Sequence, residues 1–348
     1  MANIADIDKN FKVETSIERE GLKFYDCKEA PFRVYGLMRE NGRFCRMPEE
    51  VAKTVNDGVR YFHSATAGGR VRFKTDSEYV AISANLYKIG KMPHFPLTGS
   101  VGFDMYVDGE YTKTFVPPFD VTKSFDGVYD FGNKKQREIL IEFPLYSGVE
   151  ELYIGLNEKA VTVEGESYVN EKPVVYYGSS ITQGGCASRP GTCYQAIVSR
   201  RFNCDYVNLG FSGSAKAEPE MIEYIKNLDM SVFVYDYDHN APSVEHLEET
   251  HEKMFLAIRE THPDIPIIMM PRPRINLSEV ELKRAEIIRT TYEKAVASGD
   301  KNVYHIDSRT LCQLCGNEGT VDNCHPNDFG FASMAKAVGD VIEKYNLI

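Results

Sequence analysis

The stretch VVYYGSSITQGG, Val174 to Gly185, joins four β-favouring apolar residues to a block of glycine, serine and threonine. Valine and tyrosine suit a half-buried or buried strand, so the run reads as a strand that stops abruptly. Two readings of that stop are open. Ser179 and Ser180 can cap a helix, because a serine oxygen satisfies the free N–H groups of a first turn. A serine there can also be held at the mouth of a sheet for chemistry.

The chain downstream repeats the pattern. Val174–Tyr177, Tyr206–Leu209, Val232–Tyr235, Ile265–Met270 and Val303–Ile306 read as strands. Between them lie helical periods: Val244, Leu247, His251, Met254, Phe255 and Ile258 share one face, as do Phe331, Met334, Val338, Ile342 and Tyr345. Strand–helix alternation predicts an α/β domain whose parallel sheet is covered on both faces. Upstream the texture differs. GRVRFKTDSEYVAISANLY (Gly69–Tyr87) alternates with period two, and Asp108-Gly109 separates two β-rich runs as a hairpin turn would. No amphipathic helix is read there, and short strands with regular turns predict an all-β sandwich or jelly roll. The polar VEGESYVNEKP (Val163–Pro173) divides the chain, giving an all-β domain over residues 1–165 and an α/β domain over 166–348.

Composition narrows the function. The 348-residue chain is 43% hydrophobic and 26% charged, with a formal net charge of −11. An acidic chain without a Lys/Arg stripe has no electrostatic reason to seek nucleic acid or an anionic membrane. No apolar stretch approaches the length of a membrane span. Met1–Asn10 (MANIADIDKN) lacks the basic and apolar regions of a secretory leader, so the cytoplasm is the expected location. Eight cysteines in that compartment are expected to be free thiols. Tryptophan is absent beside 21 Tyr and 19 Phe, so any sugar-stacking platform must use tyrosine or phenylalanine.

In open parallel sheets, ligands bind beyond the carboxyl ends of the strands. Those ends carry Gly178-Ser179-Ser180-Ile181-Thr182, then NLGFSGS (Asn208–Ser214), DYDHNA (Asp236–Ala241), and DNCHP (Asp322–Pro326) before the last helix. A hydroxyl, flexible backbone, an amide and a carboxylate–imidazole pair are the parts of serine acyl transfer.

These blocks, in this order, resemble the SGNH (GDSL-type) hydrolase superfamily. The resemblance implies a flavodoxin-like three-layer α/β/α domain, with Ser180 as nucleophile and Asp322 and His325 as its partners. It implies an oxyanion hole from the N–H groups of Ser180 and Gly213 and the amide of Asn240. Gly178-Ser179-Ser180 departs from the family's Gly-Asp-Ser, and Asp238 stands where its Gly-x-Asn-Asp block has glycine. With the β-rich half containing MPHFPLTGSVGFDMY, the chain is most similar to two-domain carbohydrate acetylesterases, in particular those of carbohydrate esterase family seventeen, which act on β-mannan. The implied activity is removal of O-acetyl groups from oligosaccharides, without metal or organic cofactor. An acetylated oligosaccharide is the implied partner, and a homodimer is left open.

Other residues have plainer readings. Ser179 is structural, and Asp236 and Asp238 are solvated or hydrogen-bonded acids. His239 belongs to a loop or rim, and Cys186 and Cys193 are packed thiols. Cys312, Cys315, Cys324 and His325 have a zinc-knuckle look, but zinc on His325 would remove the lone pair a base needs. His94 is a candidate to reach the sugar site from the β-rich half, and Arg272 and Arg274 are candidates to bind substrate. The rival functions are a carbohydrate-binding protein with little catalysis, and an esterase or thioesterase for another small acyl group.

Overall fold

The computed structural model describes residues 16–348, so the reading of Met1–Asn10 lies outside the described residues. The predicted parallel sheet is present. Its strands are β1 (Asn170–Gly178), β2 (Cys204–Gly210), β3 (Val232–Asp236), β4 (Ile267–Met269) and β5 (Val303–His305). They pair in the order β2-β1-β3-β4-β5, all parallel. The order reverses at β1, which puts the end of β1 at the crevice where such sheets bind ligands.

Period two sorts the core. Val174 and Tyr176 face one way, with Val232 and Val234, under the helices Tyr194–Phe202 and Asp328–Tyr345. Val175 and Tyr177 face the other way, with Phe233 and Tyr235, under Pro219–Lys226, Val244–Thr261 and Glu279–Ala297. The predicted face of Val244–Thr261 is buried from Leu247 to Ile258, whereas Tyr345, placed in the last helix's apolar stripe, is 49% exposed.

The β-rich half is a stack of two antiparallel sheets. One runs Leu22–Asp26, Gly148–Asn157, Tyr79–Lys88, Ser124–Asp130; the other has Arg70–Thr75 and Arg137–Glu142 at its centre. Val80, Ile82 and Ala84 of the first meet Phe73, Ile139 and Ile141 of the second in one core. The Asp108-Gly109 hairpin forms, with Val107 opposite Glu110 and both turn residues at positive φ, 51° and 87°.

One expectation fails here. The β-rich half does contain helices, Glu49–Val55 and Asp57–Phe62. Their buried Ala52 and Val59, with Met47, pack into the core beneath Val175 and Tyr177 of the parallel sheet. On the opposite face Ala67, Phe95, Leu145 and Tyr146 join the other core of that sheet. Buried or half-buried ion pairs cross between the halves as well: Arg189–Asp104 and Arg200–Glu142, each at 2.8 Å, and Arg70–Asp205. The sandwich is therefore packed along the edge strand β2, from Asp205 to Gly210, rather than tethered to the sheet.

Candidate active site

Gly178 closes β1 because nothing larger fits: a Cβ there would run into the Asp236 carboxylate and the Thr182 hydroxyl. Ser179 then caps a one-turn helix, Ser180–Gln183, accepting the Ile181 N–H at 3.2 Å, and Gly184 ends the turn at φ 96°. Both opening readings thus apply, to adjacent residues: Ser179 caps, and Ser180 is left with its hydroxyl free of capping. Asp236 accepts from Thr182 and is buried, which drives its carboxyl well above the usual range. It is a hydrogen-bonded acid beneath the loop, as its plain reading held.

Ser180 Oγ lies 2.9 Å from His325 Nε2, across 145 residues of chain. His325 Nδ1 lies 2.8 Å from Asp322 Oδ2. Asp322 holds the imidazole by folding its own loop: Oδ1 accepts the N–H groups of Cys324 (3.1 Å) and His325 (2.7 Å), and Asn323 turns the chain at φ 63°. Burial works to raise the Asp322 carboxyl, yet these donors and the imidazole charge bring it down to about 2. The three candidates Ser180, His325 and Asp322 are therefore joined in one line of hydrogen bonds.

The region facing Ser180 is built from two loops. Phe211 N–H donates to Gly178 O at 2.8 Å, and Ser214 N–H to Phe211 O at 2.9 Å, which projects Gly213 at the tip with φ 66° and open space before it. Asn240 Oδ1 accepts the Ala215 N–H at 3.4 Å, so the side chain sits against that loop with its amide nitrogen unengaged among the described residues. Asp238, next to it, is buried with Oδ2 on the Arg272 N–H at 3.3 Å; burial raises its carboxyl.

Arg272 and Arg274 are both engaged by protein partners. Arg272 is 8% exposed and pairs with Glu281 at 2.5 Å. Arg274 reaches Glu281 at 3.4 Å and donates to Asn323 O at 3.2 Å, inside the Asp322–His325 turn. Glu281 gathers both because it is also the capping residue of Glu279–Ala297. Of the two arginines, Arg274 braces the histidine loop. His94 does come across: its ring centroid is 5.9 Å from that of His325, at the exposed tip of the segment Met92–Phe95.

The zinc-knuckle arrangement is not assembled. Cys312 and Cys315 are buried, with the Cys315 thiol donating to Cys312 O at 3.8 Å, and all eight cysteines are free. Cys324 instead turns toward the site, with Sγ 3.0 Å from His239 Nε2. Burial would raise this thiol, but contact with His239 and His325 outweighs it and brings it down to about 6. Reciprocally, contact with Cys324 is the largest cause raising His325. Burial opposes it and Asp322 adds to it, so the imidazole is pushed up to about 9. His239, read as a rim histidine, is thus the partner of a thiol.

Three further residues gave no sign in the sequence. Gln183, fully buried, takes the Ser212 N–H on Oε1 at 3.0 Å and gives Nε2 to Leu145 O at 3.2 Å, fixing the Gly213 loop. Tyr146 donates to Ser180 O at 3.4 Å. Arg46, 3% exposed, donates to Asn208 O (3.0 Å), Gly210 O (2.6 Å) and Phe62 O (2.7 Å). Burial pulls its guanidinium down to about 9. Leu145, Tyr146 and Arg46 all come from the β-rich half, so that half holds the two segments from which Ser180 and Gly213 project.

Comparison with known proteins places this arrangement. Residues 171–343 match the GDSL-like lipase/acylhydrolase family, and residues 22–162 match GxDLY, the N-terminus of SGNH-hydrolase-type esterases. Over residues 171–343 the chain is of the GDSL-like lipase/acylhydrolase family. It is a carboxylic ester hydrolase. Among solved structures it is similar to a candidate GDSL-like lipase from Bacteroides ovatus, at 28% identity and TM-score 0.83, covering 93% of this chain and 97% of that one. A salicylyl-acyltransferase from a tetracycline biosynthetic pathway shares the fold at 19% identity and TM-score 0.77, covering 95% and 99%. A family two carbohydrate esterase from Cellvibrio japonicus shares it at 10% identity and TM-score 0.62, covering 94% and 98%. No curated protein sequence matches the chain.

Proposed function

We propose that this hydrolase removes O-acetyl groups from oligosaccharides, acetylated β-manno-oligosaccharides foremost, by a Ser-His-Asp acyl-enzyme mechanism. The observation that carries the reading is the line Ser180 Oγ–His325–Asp322, at 2.9 and 2.8 Å. Neutral His325 takes the Ser180 proton as Oγ attacks the acetyl carbonyl, and Asp322 holds the ring on Nδ1–H and stabilises the imidazolium. The N–H groups of Ser180 and Gly213 and the Asn240 amide receive the oxyanion. The tetrahedral intermediate collapses, the sugar oxygen leaves with the proton from His325, and water repeats the sequence to release acetate. In this reading His94, beside His325, stands on the leaving-group side, and the jelly-roll-like half forms that wall of the site.

One observation favours a second reading, hydrolysis of another acyl ester with a larger apolar group. Lys91, Met92, Phe95, Pro96, Leu97 and Phe119 line an open groove of about 570 Å³. Phe95 packs edge-on against Tyr146, centroids 5.1 Å apart, and Tyr146 in turn reaches Ser180. The test is acetate release from acetylated manno- and xylo-oligosaccharides, beside p-nitrophenyl esters of increasing chain length. Fast release from the mannan substrate, lost in Ser180→Ala, supports the first reading. Rates that rise with acyl length, with no release from either oligosaccharide, support the second and sink the first.

A further inference from the structure

We propose that His94, Cys186 and His325 form an inhibitory site for a soft divalent cation of the zinc class. The donor atoms of these three residues all lie within 4.8 Å of one another. Two imidazole nitrogens and a thiolate are the ligands zinc prefers, at about 2.0–2.3 Å from the ion. His94, exposed at the tip of its segment, is the member free to adjust to those lengths. Cys186 is already positioned: it is 4% exposed and held at φ 73° directly after Gly184-Gly185.

The arrangement of His325 selects which nitrogen would bind. Nδ1 is engaged by Asp322 at 2.8 Å, which leaves Nε2. A carboxylate on the far nitrogen is the support that orients histidines on metals. Nε2 is also the atom 2.9 Å from Ser180 Oγ. Binding exchanges the Cys186 thiol proton for the cation, the proton passing to water, and occupies the His325 lone pair that the serine needs. Cation and ester chemistry thus compete for one lone pair, so the site acts as a switch. A rival set, Asp322, Cys324 and His325, also lies within 4.8 Å. It spends the carboxylate that orients the ring, which is why the first set is preferred.

The effect on activity rests on the reading of His325 as base; binding of the ion does not. The test therefore titrates zinc into chelator-stripped full-length protein against a chromophoric chelator, in wild type and in Ser180→Ala, which keeps every proposed ligand. Cobalt is used in parallel, because a bound thiolate gives it a charge-transfer band. The expected result is one ion per chain in both proteins, with wild-type ester hydrolysis lost in proportion to occupancy and restored by chelator. His94→Gln, an exposed change that leaves the fold intact, and Cys186→Ala should each weaken binding by at least about tenfold, and Cys186→Ala should abolish the cobalt band. No binding at micromolar zinc, or unchanged affinity in both variants, overturns the proposal. A band lost in Cys324→Ala but kept in Cys186→Ala assigns the ion to the rival set and overturns it equally. A metal-free wild type without esterase activity would count against the hydrolytic reading and leave the binding result standing.

Discussion

Two histidines lie against the same parallel sheet, and their proton affinities are pushed in opposite directions. His251, on Val244–Thr261, is 1% exposed and stacked on Tyr235 and Tyr237 at 4.7 and 5.9 Å, with Thr291 Oγ1 at 2.9 Å. Burial, helped by His305, pushes it down to about 3. His325, at the carboxyl edge, is raised to about 9 by Cys324 first and then Asp322, against the pull of burial. Desolvation acts on both in the same direction. What differs is the placement of negative charge beside the ring. A histidine between helix and sheet is a packing group, whereas one beside a carboxylate and a thiolate has a proton to handle.

Exchanging the two roles gives the largest effect. His325→Gln should lower kcat by a factor on the order of 10⁴ or more, as loss of the base does in serine hydrolases, while the urea midpoint stays close to wild type. Ser180→Ala should match it. His251→Gln should do the reverse, lowering the midpoint and leaving kcat within a few-fold. Equal activity losses in the two histidine variants would erase the distinction. Asn240→Ala comes next, at about 10²–10³ in kcat with KM little changed. A KM effect alone would make Asn240 a binding group.

The comparison also separates the two in their effect on stability. His251 has its folded pKa below the ordinary 6.5, so the unfolded chain binds more protons wherever pH lies between about 3 and 6.5. Stability should be fully present above about 6.5 and fall as pH drops through that window, by up to about 1.4 kcal/mol per unit. Urea unfolding at pH 7 and pH 5 should therefore differ by about 2 kcal/mol from this group alone. His251→Phe keeps the aromatic stack and should remove that part of the slope. An unchanged slope would mean that other groups set it.

How much of this was legible in the sequence depends on what each residue does. The strand-end blocks were readable because a hydroxyl, glycines, an amide and a carboxylate–imidazole pair gather at the carboxyl ends of the strands; the roles expected of Ser180 and Gly213 came from the resemblance. Asp322 and His325 were readable because they stand three positions apart, the Asp-x-x-His spacing of the family they resemble, which one turn can close. The helices Glu49–Val55 and Asp57–Phe62 were not, since each buries only one residue, Ala52 or Val59, too few to show a period. Arg46, Gln183 and Tyr146 were invisible for a different reason. Their partners are main-chain groups distant in sequence, several of them in the other half of the chain, and main chain carries no sequence signal. Arg272 and Arg274 were visible as charges at a strand end, but the partner that holds both, Glu281, lies in the following helix.

The smallest prediction tests what raises His325. Cys324 sits 3.0 Å from His239 and gives the largest contribution to the shift of His325, so thiolate and imidazolium stabilise each other. An imidazolium cannot accept the Ser180 proton. Activity should therefore rise with pH as His325 loses its proton, and the acid limb should lie above the ordinary histidine range. Cys324→Ala removes the thiolate and keeps Asp322, so His325 should release its proton more easily and the limb should move to lower pH, by on the order of one unit. Near pH 7 the variant would then be the faster enzyme. His239→Gln should shift the limb as well: without the imidazole that helps hold it as a thiolate, Cys324 keeps its proton more often and stabilises the imidazolium less. A limb that does not move in either variant would mean that Asp322 alone governs the base. The thiol beside it would then be a neighbour of the reaction and not a participant in its proton balance.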